Sequence, residues 1–263
     1  QILSSSIKTY YKAKKIIAQQ GYSEVVTWSF MDGNKAKVLF NDLICLQNPI
    51  SNDLNTMRPS TIPNLMEAIN QNKSRMYTRA KIFEVGPNFS KSLNEYQENV
   101  ASAITYGSID EENWLSNKKN SNVFTAKADL FSVLSSLNIP TDNLLYDKIE
   151  DNIYHPGKSS ILRLGKNIIA KFGELHPILM KTMDINIKVY GFEIYLDNIS
   201  QFQENKSFSR GAFSNNPYQM VERDFAFLFP KEIKANEIIK KVKTIDKNII
   251  NKVTIFDVYE GDK

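Results

Sequence analysis

At 263 residues with 42% hydrophobic side chains, the chain is long enough to bury one large core, or one core and part of a second. Its one cysteine, Cys45, excludes an internal disulfide and a Cys-x-x-Cys metal or redox site, and reads as a small buried apolar residue in "LICLQN". No apolar run approaches the roughly 20 residues that cross a bilayer, and "QILSSSIKTYYKAKK" lacks a signal-peptide core, so the expectation is a soluble, cytoplasmic protein with no membrane partner. The net charge is +4, and the surplus is C-terminal: between Lys231 and Lys252 seven lysines face three acids. Such a patch attracts a nucleic-acid backbone; its plain alternative is a solvated lysine-rich helix.

In chain order, Ile7, Tyr10, Tyr11, Lys14, Ile17 and Ala18 recur at helical spacing and Gly21 supplies a stop. "EVVTWSF" (Glu24 to Phe30), β-branched and aromatic, reads as a strand. A short helix near Asn34 to Phe40 and a strand at Leu43 to Leu46 precede "NPISNDLNTMRPS", a loop rich in turn formers. Thr61 is placed to cap the next helix, Pro63 fits its first turn, and Ile62, Leu65, Met66 and Ile69 make its apolar face. A strand at Lys81 to Val85 ends at a "GPN" turn, and another covers Val100 to Tyr106. A helix at Lys127 to Leu137 turns Leu130, Val133, Leu134 and Leu137 inward.

"SSILRLGKNIIAKFGEL" (Ser159 to Leu175) is a hairpin turning at Gly165, Lys166 and Asn167, and Lys188 to Leu196 is a further alternating strand. The pattern predicts an α+β fold on a large antiparallel sheet. It lapses over Gln203 to Pro217. Beyond it come a strand (Arg223 to Phe229), a helix (Ala235 to Ile245) and a strand (Lys252 to Tyr259), a β-α-β unit that reads as a truncated domain with little core of its own, so the polypeptide reads as a fragment.

The ten glycines never form a Gly-x-Gly pair, which excludes dinucleotide and kinase-type phosphate loops. "HPGKSS" has Asn152 where a P-loop would begin with glycine. His155 and His176 have no Cys or His at ligand spacing, and no nucleophile elbow exists, so neither a zinc site nor hydrolase chemistry is expected.

Several segments, in order, resemble the β subunit of bacterial phenylalanyl-tRNA synthetase: "GYSEVVTWSF", "NPISNDLNTMRPSTIPNLMEAINQNKSR", "KIFEVGPNF", "YHPGKSS", "GELHP", and "NPYQMVERDFAFLF" with "TIFDVYEG". The resemblance spans nearly the whole chain. It implies a class II synthetase-like core, residues 1–205, a large antiparallel sheet flanked by helices; a linker, 206–216; and the start of a ferredoxin-like anticodon-binding domain, 217–263. It implies an α2β2 assembly whose α subunits carry ATP, magnesium and phenylalanine and perform the ligation, with tRNA(Phe) as partner. No cofactor is expected in this fragment.

Class II catalysis uses an arginine on the strand that resembles "KIFEVGPNF" to hold the α-phosphate. Aligned on the aromatic, that position is Glu84, whose carboxylate would repel phosphate. The second arginine has no counterpart between Lys188 and Gln203, and Arg75 and Arg79 are not placed at ATP by strand alternation. The expectation is a core without catalytic residues. The resemblance points to Tyr10, Tyr11, Ile17, Val26, Trp28 and Phe30 as contacts to the α subunit, with filling of the chain's own core as the alternative, and Lys240, Lys241, Lys243 and Lys247 are the tRNA candidates. Two other readings stay open: a free-standing, non-catalytic RNA-binding or scaffold protein derived from this fold, and an independent ATP-using ligase.

Overall fold

The computed structural model describes residues 3–74, 77–109, 114, 119–204, 218–230, 232–246, 249–259 and 261. It forms two compact units, Gln1–Ser209 and Arg210–Lys263. The linker expected at 206–216 lies outside the described residues.

The first unit is built on a seven-stranded sheet. Its strands are β1 (Ser23–Glu24), β4 (Ala80–Phe89), β5 (Gln97–Tyr106), β9 (Tyr190–Tyr195), β8 (Asn167–Leu175), β7 (Tyr154–Leu164) and β6 (Leu145–Asp147), in that spatial order. All neighbours are antiparallel except β1 and β4. A two-stranded ribbon pairs β2 (Phe30–Met31) with β3 (Thr56–Met57). The helices are α1 (Ser5–Gln19), α2 (Gly33–Leu39), α3 (Ile62–Ser74), α4 (Val123–Ser136), α5 (Pro177–Thr182) and α6 (Leu196–Glu204).

Strand alternation separates the sheet into two chemically different faces. One row runs Phe83, Ala103, Phe192, Phe172 across four strands, and another Val85, Ala101, Ile194, Ala170. These residues are buried in one core with Leu130, Val133, Leu134 and Leu137 of the α4 region, Ala13 and Ile17 of α1, and Leu196 and Ile199 of α6. The row between them carries Glu84, Ser102, Glu193 and Lys171 on the other face. At one end that face is covered by α3 and α5, where Ile62, Leu65, Met66, Ile69 and Leu179 pack on Ile82 and Ile104.

The hairpin turns where expected, with Gly165 at φ +64, a left-handed conformation that glycine takes without steric cost. Several expectations are corrected. Of the segment read as a Glu24 to Phe30 strand, only Glu24 joins the large sheet, in β1, and Phe30 pairs in the ribbon; the Val25 amide still reaches the Phe83 carbonyl, and then the chain leaves because Thr27 turns to Glu84. Leu43 to Leu46 makes one isolated bridge, Cys45 to Thr56, and Cys45 is exposed rather than buried. "GPN" is not a turn: β4 continues to Phe89 because Gly86, Pro87 and Asn88 stay paired with Val100, Asn99 and Glu98. Thr61 donates its hydroxyl to Asn88 instead of capping α3, and Ser60 accepts from the Ile62 amide. On α1 the buried face is Thr9, Ala13 and Ile17, while Ile7 and Tyr11 are exposed.

The second unit contains α7 (Ala235–Ile245), at the bounds expected. Arg223 to Phe229 and Lys252 to Tyr259, expected as strands, carry no regular secondary structure and are mostly exposed. Two strands and one helix bury too little apolar area to hold a ladder. Phe225, Phe227 and Phe229 instead line up on one side, with successive ring centroids 6.1 and 5.8 Å apart.

Because Phe83 is fully buried at the centre of the apolar face, Phe83→Ala is expected to destabilise the first unit by about 3–5 kcal/mol, measured by denaturant unfolding.

Candidate functional site

The polar face of the sheet holds the groups able to do chemistry. Arg58, 1% exposed, lies over β4 and pairs with Glu84, 4% exposed, through Nη1 to Oε1 at 2.8 Å. The same Nη1 donates to Thr27 Oγ1 at 2.8 Å and the Trp28 carbonyl at 3.3 Å, and Nε donates to the Pro87 carbonyl at 3.1 Å. Thr27 donates to Glu84 Oε2 from its hydroxyl at 2.6 Å and its amide at 3.2 Å. A buried ion pair persists only when its other donors and acceptors are largely met, and these contacts engage Nε, Nη1 and both Glu84 oxygens. Gly86 makes room: a Cβ there would stand 2.7 Å from Arg58 Nη2.

Next in the row, Ser60 donates to Glu193 Oε1 at 2.7 Å, and the Ser102 hydroxyl between Glu84 and Glu193 is buried without a hydrogen-bond partner. Beyond them opens a cavity of about 510 Å³. Among the described residues its wall carries five carboxylates, Asp42, Glu98, Glu150, Asp151 and Glu193, against one cation, Lys171, which pairs with Asp151 at 3.0 Å. Burial, with Glu193 and Asp197 nearby, pushes the Glu98 carboxyl up to about 7. Burial likewise raises Glu193 despite the opposing pull of Lys171 and Ser60. Burial works against the Lys171 ammonium, but Asp151 and Glu193 outweigh it and hold its pKa above the ordinary lysine value.

A triphosphate needs cations directed into the site. The arginine above β4 is spent on Glu84 and backbone carbonyls, and the cavity wall is acidic, so the residues present do not fit ATP. Among the described residues, no group of three or more His, Cys, Asp or Glu side chains could hold a metal ion.

Of the residues singled out for subunit contact, Val26 and Trp28 are 86% and 64% exposed and Tyr11 is exposed on α1. Tyr10 is half-buried and donates to the Val85 carbonyl, Phe30 is half-buried in β2, and Ile17 is sealed in this chain's own core with no surface to offer. An ion pair from Lys14 to Glu24 ties α1 to the start of the exposed segment. Lys240, Lys241 and Lys243 lie within one turn of α7, and Lys247 is outside the described residues, as is Arg75. Arg58 escaped the sequence reading. Its signal was Glu84 itself, a carboxylate between Phe83 and Val85 in an apolar strand, which requires a buried cation.

A mostly antiparallel sheet flanked by helices on both faces, with a polar cavity opening on one of them, is the core of a class II aminoacyl-tRNA synthetase-like fold. Two solved structures of pyrrolysyl-tRNA synthetase from Desulfitobacterium hafniense match it with a TM-score of 0.58 each, at 18% and 17% identity, over 75% and 76% of this chain and 66% and 69% of theirs. Within that class, the family model for the phenylalanyl tRNA synthetase beta chain CLM domain matches residues 2–196, and the ferredoxin-fold anticodon binding domain matches 216–263. The chain belongs to the phenylalanyl-tRNA synthetase β chain family. It is 34% identical to the phenylalanine–tRNA ligase β subunit of Rhodospirillum rubrum over 100% of its length, and 35% identical to that of Rickettsia prowazekii over 95%. It spans 33% and 31% of those relatives.

The raised Glu98 pKa sets a pH dependence. The folded state holds a proton there that the unfolded chain releases near 4.5, so this group costs no stability below that value and progressively more as pH rises toward 7. Glu98→Gln is expected to be more stable than the parent at pH 8 and to flatten the decline between pH 5 and 7, measured by urea unfolding across pH.

Proposed function

We propose that the chain is a non-catalytic portion of a phenylalanine–tRNA ligase β subunit. In this reading it supports ATP-dependent charging of tRNA(Phe) with phenylalanine by assembling with the catalytic α subunit in an α2β2 enzyme and by contacting tRNA. ATP and magnesium belong to the α subunit. Residues 1–205 are the synthetase-like core and 217–263 the opening of the anticodon-binding domain.

The observation that carries the reading is the state of the face where a catalytic relative would hold ATP. Among the described residues its one buried arginine is neutralised by Glu84, and its cavity places five carboxylates against one lysine. In a low-dielectric cleft that charge pattern disfavours a polyphosphate. What the core offers outward is apolar surface at Val26, Trp28 and Tyr11. Exposed large aromatic and aliphatic side chains on a fixed segment are the material of interface anchors. α7 adds a cationic stretch in the unit matched to an anticodon-binding domain.

Co-expression tests the reading. The intact protein carrying this chain is expected to co-purify with an α subunit and the pair to charge tRNA(Phe), with no amino-acid-dependent pyrophosphate exchange without α; exchange by the β side alone would sink it. Trp28→Ala is expected to weaken association with α by about 2 kcal/mol or more, as interface anchors do, measured by titration calorimetry. Neutralising Lys240, Lys241 or Lys243 is expected to weaken tRNA binding and to reduce the slope of log affinity against log salt by about 0.7–1 per lysine. Unchanged affinity and slope would remove α7 from the tRNA contact.

A further inference from the structure

We infer that Arg58 and Glu84 act as a positioning latch, a buried polar pair that fixes residues 25–31 in the shape presenting Val26 and Trp28 to a partner. This rests on the docking role proposed for that segment and adds which residues give the surface its form.

Side chains that face solvent give a segment no hydrophobic reason to keep one conformation, and ordering it on binding subtracts from affinity. Residues 26–29 belong to no strand. The chain from Thr27 to Phe30 is nevertheless held from below, residue by residue. Thr27 gives its amide and hydroxyl to Glu84 Oε2, and its hydroxyl oxygen accepts from Arg58 Nη1. The Trp28 carbonyl accepts from Arg58 Nη1 and from Asn64 Nδ2 at 3.0 Å. The Ser29 carbonyl accepts the Arg58 amide at 3.0 Å, and the Phe30 carbonyl accepts Asn64 Nδ2 at 3.1 Å. Thr27 points inward while Val26 and Trp28 point outward, the period of two expected of extended chain.

Gly86 gives independent support. It leaves the guanidinium a place against β4 that a Cβ, 2.7 Å from Nη2, would deny. Arg58 spends its guanidinium on Glu84, on Thr27 and on the Trp28 carbonyl of a surface segment. That geometry pre-organises a surface, a role distinct from filling a core.

The test uses the intact protein with its α subunit. Arg58→Met combined with Glu84→Met removes the latch and leaves no unpaired buried charge. Hydrogen exchange of the amides in 25–31 is expected to rise about tenfold or more, with the paired-strand amides of Ala103 and Phe192 unchanged. Affinity for the α subunit is expected to fall about tenfold, since the lost order must be restored on binding. Arg58→Lys, which can reach Glu84 but cannot span Thr27, Trp28 and Pro87 together, is expected to show the same local exchange to a smaller degree, and serves if the double variant does not fold. Unchanged exchange at 25–31 overturns the latch. So does a rise shared equally by Ala103 and Phe192, which would make the pair a plain stability element. Trp28→Ala separates the two ideas: if it leaves affinity unchanged, the docking role fails and the latch is judged on exchange alone. If Trp28→Ala weakens binding while the double variant does not, the latch fails and the docking role stands.

Discussion

The architecture of the first unit depends on one buried ion pair. Arg58 and Glu84 are both almost fully withdrawn from water, and a charge in that setting is tolerable only with its partner and hydrogen bonds in place. Removing one member of such a pair costs about 3–5 kcal/mol, comparable to a large core truncation. The pair settles three features together. It draws Thr27 inward and so ends the pairing begun at β1. It gives Arg58 Nε to the Pro87 carbonyl, while the Phe89 amide bonds to the Arg58 carbonyl, and so helps carry β4 straight through Gly86 to Phe89. It seats residues 56–60 on the sheet, from which Ser60 reaches Glu193.

The two faces of the sheet then take different roles. The rows through Phe83 and Val85 are apolar and closed by α1, α4 and α6, which makes that face the source of stability. The opposite face is divided into three parts: an apolar patch at Ile82 and Ile104 covered by α3 and α5, a polar middle strip at Glu84 filled by residues 58–64, and an open acidic cavity. A class II sheet used for ligation would keep the middle strip free for nucleotide. Here the chain's own side chains occupy it, the observation on which the proposed non-catalytic role rests.

How much was legible depends on how local the cause was. The α4 region was read correctly because Leu130, Val133, Leu134 and Leu137 are a helical stripe whose burial needs only any apolar face opposite. The hairpin at Gly165 and the bounds of α7 are equally local. "EVVTWSF" has strand composition, yet its fate was decided by a carboxylate 57 positions away from Thr27. "GPN" has turn composition, but an uninterrupted neighbour, β5, kept it extended. The segments at 223–229 and 252–259 alternate like strands and remain unpaired, since composition supplies no neighbour.

By itself the sequence determined the class of fold, the family resemblance, the absence of phosphate-loop and hydrolase motifs, and the presence of a carboxylate, Glu84, inside an apolar strand. These follow from residue type, spacing and order along the chain. Only the tertiary structure decided that Glu84 meets a buried arginine instead of repelling a phosphate, that Ile17 belongs to the core while Val26 and Trp28 face outward, and that five carboxylates converge on one cavity. Each of these is a question of which distant side chain comes within a few ångströms. Electrostatic and hydrogen-bond energies are set by that proximity and by the dielectric around it.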